Sequence, residues 1–263
     1  MDDQTRVELL KKLETMRDSK VIVYFSYSPL DDQILIPLYK ELVAIGKTKN
    51  IDLFLYSHGG AVDTPYKVVM LIREFCEKFS VIVPFSAKSA ASMIVLGADE
   101  VVMGPISELG PIDPLVKHPE YKDFWIPVQA FRFCFEYIEE LACISNNHEV
   151  TEMIIKSLLA KLDPWLLGDY EKALKASKQY AESLLSKFML KNNKERIKEV
   201  TEALTNNYYS HGYPICRQEA KDLGLTIAGA SGELWDVIWK LYLMYEGMFC
   251  NVKCCNFSLS TLK

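Results

Sequence analysis

The sequence predicts an α/β fold: a mostly parallel sheet built from βαβ units, with additional C-terminal helices. Three observations carry this. Over residues 20–105, short β-branched and aromatic runs alternate with stretches of helical spacing. The two loops richest in small residues, "SHGG" (Ser57–Gly60) and "SAKSAAS" (Ser86–Ser92), each follow one of those runs. After Pro127 the strand-like runs give way to amphipathic helical patterns.

Taken in order, "KVIVYFSY" (Lys20–Tyr27) reads as a buried strand. "DDQILIPLYKELVAIGK" has an acidic start and helical spacing at Ile34, Leu38, Leu42 and Ile45, with Gly46 as its C-terminal cap. "IDLFLY" (Ile51–Tyr56) is a second strand and "SHGGAVDT" a glycine-rich turn. "TPYKVVMLIREFCEKF" is a helix, with Thr64 at the cap and Pro65 at the first position. "VIVPF" is a third strand, the small-residue segment opens another helix, and "EVVMGP" is a fourth strand. Parallel sheets bind ligands at the carboxyl ends of their strands, so the two loops are expected on one rim.

"VQAFRFCFEYIEELACI", "EVTEMIIKSLLAKL", "DPWLLGDYEKALKASKQYAESLLSKFML" and "KERIKEVTEALTN" read as helices, the third started by Asp163-Pro164. A polar interruption, "YYSHGYPICRQEAKDLGL", precedes a last helix, "GELWDVIWKLYLMYEGM". That helix is apolar around much of its surface and is expected to pack on the body or on another subunit. The expected organisation is a domain over residues 1–230 with a helical insertion at about 127–207, then a helix and tail over 231–263.

Composition narrows the function. A 263-residue chain with 49% hydrophobic and 25% charged residues supports a real core. A net charge of −5 argues against a nucleic-acid surface, which needs clustered Lys and Arg. No apolar run reaches the roughly 18 residues of a membrane span, and "MDDQTRVELLKKLETMRDSK" is unlike a signal peptide. Seven cysteines without framework spacing suit reduced thiols and a cytoplasmic location. The tail "CNVKCCNF" lacks a partner CxxC or nearby His, so no metal is expected, nor any other cofactor.

The rim loops admit two readings each. Gly59-Gly60 suits a plain tight turn, or a close approach of its N–H groups to a ligand oxygen. Ser89 suits a helix cap with small neighbours, or a hydroxyl held outward beside a helix N-terminus. Ala90 and Ala91 keep the wall thin there. Ser92, one turn on, is a rival to Ser89, worse placed to share an anion hole.

The order strand, Gly-Gly, helix, strand, Ser-small-small, helix, "GADEVVMGP" resembles the Clp protease/crotonase superfamily. It looks most like the serine dehydrogenase proteinase family, related to the signal peptide peptidase A group. "SAASMIVLGADEVV" matches the nucleophile segment at Ser89, with Ala90 and Ala91 in place of the usual glycines. "GPISELGPIDP" (Gly104–Pro114) and "HGYPICRQEAKDLGL" (His211–Leu225) are the most family-specific stretches. The resemblance covers roughly residues 20–115 and 205–228. It implies a Clp/crotonase-like fold, a serine endopeptidase acting on peptides or proteins, and a homo-oligomer.

The resemblance also implies Ser, Asp and His in that chain order. A serine hydroxyl needs a base, and the histidines are His58, His118, His148 and His211. His118 and His148 read as solvated surface. His211, in "SHGYP", suits an exposed functional imidazole. Asp113, in "GPIDP", falls between Ser89 and His211 and would orient the imidazole, or else anchors a Pro-rich turn. The oxyanion donors would come from Gly59, Gly60 and Ala90. His58, where the family usually has Pro, is a second base, a substrate contact or an accident. Lys88 offers a Ser–Lys route if desolvated, or a substrate or backbone contact.

Two other readings stand beside the peptidase. One is a crotonase-like acyl-CoA enzyme using the same amides, weakened because no Glu stands in an obvious acid/base position on the rim. The other is a non-catalytic oligomeric scaffold. No GxxxxGK[ST] occurs in the chain, so any unfolding power would come from a partner.

Overall fold

A computed structural model of the chain describes residues 3–117, 125–144, 148–160, 163–249 and 256–258. The chain forms two compact units: Met1–Ile112 with Tyr180–Lys263, and Asp113–Gln179.

The first unit opens with helix α1 (Asp3–Arg17) and strand β1 (Lys20–Ser26). A 3-10 turn, capped by Asp31 through the Gln33 N–H, leads into α2 (Leu35–Ile45). Gly46 ends α2 at φ 73°, its N–H donating to Leu42 O, as its place in the sequence predicts. Then come β2 (Thr48–Ser57), α3 (Thr64–Arg73), β3 (Cys76–Val83), β4 (Ser86–Ala87), α4 (Ala90–Leu96), β5 (Glu100–Met103) and β6 (Glu108–Leu109). The second unit holds the antiparallel pair β7 (Leu115–Lys117) and β8 (Trp125–Pro127), followed by α5 (Gln129–Ile144) and α6 (His148–Leu159). Helix α7 (Pro164–Lys187) starts there, its first turn capped by Asp163 Oδ1 accepting from the Trp165 N–H at 2.8 Å. The first unit resumes with the end of α7, then α8 (Lys194–Asn206), β9 (Ile215–Cys216), α9 (Arg217–Asp222), β10 (Ile227–Gly229), α10 (Gly232–Phe249) and β11 (Asn256–Ser258).

Among the described residues one nine-stranded sheet runs β10-β5-β3-β2-β4-β6-β9, with β1 pairing β2 and β11. Only β6–β9 and β1–β11 are antiparallel within it. Strand β2 is shared. Its residues 48–54 pair with β3, and its last residue, Ser57, pairs with Ala87 of β4.

Both faces of this sheet are covered, which is why its strands read as continuous apolar runs. Along β2, Leu53 and Leu55 enter a core with Leu38 and Leu42 of α2, Val68 and Ile72 of α3, and Ile94 of α4. Phe54 and Tyr56 alternate to the other face, against Leu10 and Leu13 of α1 and Ile238, Leu241 and Tyr245 of α10. The last helix therefore packs on the body, one of the two expected placements.

Two boundaries differ from the sequence reading. The helix expected to run to Phe79 ends at Arg73, and "CEK" opens β3, because Cys76 and Lys78 pair with Thr48 and Asn50 across the ladder. The cap of α3 is Asp63 rather than Thr64, whose hydroxyl donates instead to Asp32 at 2.8 Å. Short strands β4, β6, β9 and β10 carry too few residues for any periodicity and are visible only through their partners. The second unit begins and ends earlier than the helical segment read from the sequence.

Candidate active site

Ser89 stands between β4 and α4 with φ 52° and ψ −120°. Such a conformation costs a residue with a Cβ about 1–3 kcal/mol and persists only where the surroundings impose it. They do so from both ends. The Lys88 N–H donates to Ser57 O at 3.0 Å, extending the β2–β4 ladder by one rung. Beyond Ser89, the Ala91 N–H closes on Lys88 O at 2.9 Å, and Ala90, Ala91 and Ser92 are buried at the start of α4. Ser89 occupies the N-cap position, yet its side chain makes no capping hydrogen bond and the residue is partly exposed. The helix-cap reading of this serine therefore fails on geometry.

Gly59 packs against that turn. At φ 92°, a Cβ on it would lie 2.7 Å from Lys88 O, 2.8 Å from Ser89 Cβ and 2.9 Å from Ala90 N. Its own N–H donates to Ser57 Oγ at 3.1 Å, so it is engaged inside the turn rather than offered outward. That corrects one of the three expected anion-hole donors. Gly60 is exposed, and any side chain there would overlap the Leu30 backbone. The groups on either side of it, Gly59 C=O and Ala61 N–H, pair with Leu30 at 2.8 Å each. Ala90 is the first residue of α4, where helix geometry supplies no intrahelical acceptor for the N–H.

Each of the three auxiliary candidates has a hydrogen-bond partner within the fold, and Lys88 makes the backbone contact that was one of its two readings. Ser92 is buried, its Oγ donating to Ala87 O at 2.6 Å and accepting from the Gly110 N–H at 2.9 Å. Its hydroxyl is spent inside the fold. His58 is exposed, but its Nε2 lies 3.2 Å from the Tyr56 hydroxyl and its ring meets Tyr27 and Tyr56 edge-on. Tyr56 belongs to the α1/α10 face, and His58 is drawn toward it. Lys88 Nζ lies 2.8 Å from Glu108 Oε1, 3.0 Å from Leu109 O and 3.3 Å from Tyr213 O. All three neighbours are hydrogen-bond acceptors, so Nζ serves as a donor here.

His211 sits in the turn Ser210–Tyr213, closed by the Tyr213 N–H donating to Ser210 O at 3.0 Å. The β4-β6-β9 ladder decides where this turn lies. Ala87 pairs parallel with Leu109, and Leu109 pairs antiparallel with Ile215. Strands β4 and β9 thus run oppositely, so the residues leaving β4 and those entering β9 share one end of the ladder. The contact from Lys88 to Tyr213 O closes that end. The Tyr213 ring also packs on Tyr208 at 4.6 Å. Burial and a hydrogen bond to Glu219 hold the Tyr208 phenol above its ordinary range. Ser89 and His211 are brought to the same end of three adjacent strands.

Asp113 is buried and begins the second unit. His148 is the first residue of α6. His118 and the tail cysteines Cys250, Cys254 and Cys255 lie outside the described residues. Residues that the sequence reading missed are Ser57, which pins Gly59, and Glu108, which faces the Lys88 amine. Glu108 is ion-paired to the lysine at 2.8 Å. Its only sequence signal was a place inside the family-specific "GPISELGPIDP".

Residues 2–122 match the family model of the ClpP-like SDH-type serine proteinases, the family that the rim loops resemble. Two uncharacterized proteins of Methanocaldococcus jannaschii are 26% and 25% identical to the chain over 235 residues. Each match covers 84% of this chain, and 73% and 71% of those proteins respectively. Among solved structures, the ClpP protease catalytic domain from Plasmodium falciparum matches at 12% identity and TM-score 0.46, over 89% of this chain and 93% of that one. A ClpP1 mutant from Listeria monocytogenes matches at 13% identity and TM-score 0.44, over 86% of this chain and 99% of that one. The family match supports a protease at family level.

Proposed function

We propose that the protein is a serine endopeptidase that cleaves peptides or proteins by acyl transfer, with Ser89 as nucleophile and His211 as base. The carrying observation is Ser89 itself: a non-glycine held at φ 52°, partly exposed, with no capping bond. Ser89 Oγ attacks the peptide carbonyl carbon while His211 takes its proton. The C–N bond then breaks as His211 returns that proton to the leaving amine, and water hydrolyses the acyl-enzyme. The N–H groups of Gly60 and Ala90 receive the developing oxyanion, each worth about 3 kcal/mol of barrier. Gly59 keeps the wall between them free of a side chain. Asp113 orients the imidazole, a role that rests on chain order and on the resemblance. The working form is a homo-oligomer, for which the second unit offers exposed Tyr137, Met153 and Trp165.

Fluorophosphonate labelling tests this reading. Wild type labels at Ser89, Ser89→Ala does not, His211→Ala labels about 100-fold or more slowly, and Asp113→Asn is also slowed. Labelling that survives Ser89→Ala overturns the assignment. No labelling by wild type favours the acyl-CoA enzyme or the scaffold, which a CoA-thioester turnover assay then separates.

A further inference from the structure

The geometry points to Lys88 as the positioning residue of this site: a latch that holds the His211 turn against the serine turn through Glu108, Leu109 O and Tyr213 O. This rests on the reading of Ser89 and His211 as nucleophile and base.

Four observations bear on it. Lys88 is joined to Ser89 in the chain, and its backbone is fixed on both sides, N–H to Ser57 O and C=O to the Ala91 N–H. Its side chain, only 14% exposed, reaches Tyr213 O, two residues past His211. Gly110 borders its path: a Cβ there would stand 2.7 Å from Lys88 Cδ, so a side chain at 110 would push the stem aside. At the far end the ammonium meets one carboxylate and two carbonyls, matching its three protons.

The His211 turn is bonded within itself at Tyr213 N–H to Ser210 O, packs its Tyr213 ring on Tyr208, and leads into a strand of two residues, Ile215–Cys216. Lys88 therefore ties the approach to that short strand to the nucleophile's own backbone. A displacement of the turn by one ångström is enough to spoil a serine–imidazole geometry, at a cost near 100-fold in rate. Lys88 acts through His211 and touches no reacting atom.

The test uses the full chain with Lys88→Met and Glu108→Gln, read by amide hydrogen exchange and by fluorophosphonate labelling of Ser89 across pH. Exchange over residues 208–216 is expected to rise about 10-fold in Lys88→Met, and less in Glu108→Gln, with β2 and β3 unchanged. This readout does not depend on catalysis: unchanged exchange over 208–216 overturns the latch, whatever the serine does. Labelling is expected to fall about 10- to 100-fold in Lys88→Met while its pH midpoint stays at the wild-type position. Lys88→Met/His211→Ala is expected to label no more slowly than His211→Ala alone, because the latch has nothing left to position. A full additive loss in the double variant, or loss of the pH limb in Lys88→Met, overturns the latch in favour of a direct role for the amine. Absence of labelling in wild type, with faster exchange in Lys88→Met, sinks the peptidase reading and leaves the latch standing.

Discussion

Gly59 and Ser89 are packed so closely that no side chain fits between them: a Cβ on the glycine would lie 2.8 Å from the serine Cβ and 2.9 Å from Ala90 N. The contact joins the ends of two neighbouring parallel strands. It also makes the glycine doubly required, by space and by its φ of 92°. Gly59→Ala is expected to lower labelling of Ser89 by about 100-fold or more. The same change should destabilise the fold by about 1–3 kcal/mol through left-handed strain. Labelling rate and chemical denaturation together check it, and an alanine variant that labels like wild type contradicts the close packing.

Ser89→Gly and Ser92→Ala should move stability in opposite directions. Glycine relieves the strained φ of 52°, giving a net gain of about 1 kcal/mol while labelling vanishes. Ser92→Ala leaves the buried Gly110 N–H without its acceptor and is expected to cost about 1–3 kcal/mol, with labelling retained. Denaturant midpoints measure both.

Arg17 joins Asp52 and Glu100 at 2.8 Å each, and Asp52 is only 2% exposed. Arg17→Met strands that buried carboxylate and should cost about 3–5 kcal/mol. Burial raises the Glu100 carboxyl, but Arg17 and Lys78 outweigh it and hold the group below the usual carboxylate range. A depressed carboxylate stabilises the fold above the ordinary range and loses that contribution as pH falls through the folded value. Stability measured against pH should therefore decline on acidification more steeply in wild type than in Glu100→Gln.

Burial pushes the Cys76 thiol up to about 11. A raised thiol contributes stability that is fully present below the ordinary thiol range and is lost as pH climbs toward the folded value. At pH 8 this cysteine should be alkylated far more slowly than exposed Cys134, Cys143 and Cys216, until denaturant is added. Mass spectrometry of timed iodoacetamide reactions reads the difference.

Exposed Met153 and Trp165 on the second unit are expected to serve self-association. Sedimentation of wild type should give a mass above the 30.1 kDa monomer, with Met153→Glu and Trp165→Glu shifting it downward. A wild-type monomer at micromolar concentration contradicts the oligomer.

Where residues repeat with a period, the chain was readable. Strands β1 and β2 and helices α2, α5, α6, α7, α8 and α10 announce themselves because each presents an apolar face of several turns or rungs. Local stereochemistry was equally plain at Gly46 and Asp163, whose caps depend on neighbours in sequence. The loops that carry the serine and the Gly-Gly pair were legible for the same reason: small residues at a strand end are a local signal. The strand formed by "CEK" was not found, since its pairing with Thr48 and Asn50 comes from a distant segment that overrode a helical pattern.

What the chain alone determined is an alternating pattern whose burial demands a parallel sheet with covered faces, and a rim carrying Ser89 beside Gly59. Tertiary structure decided the rest. It gave Ser89 its strained φ, spent the Ser92 and Gly59 groups inside the fold, turned Lys88 toward Tyr213, and brought the His211 turn to the end of a ladder of two-residue strands. Periodicity encodes which face a residue buries. It carries no record of which partner, a hundred residues away, a lone hydroxyl or amine will meet.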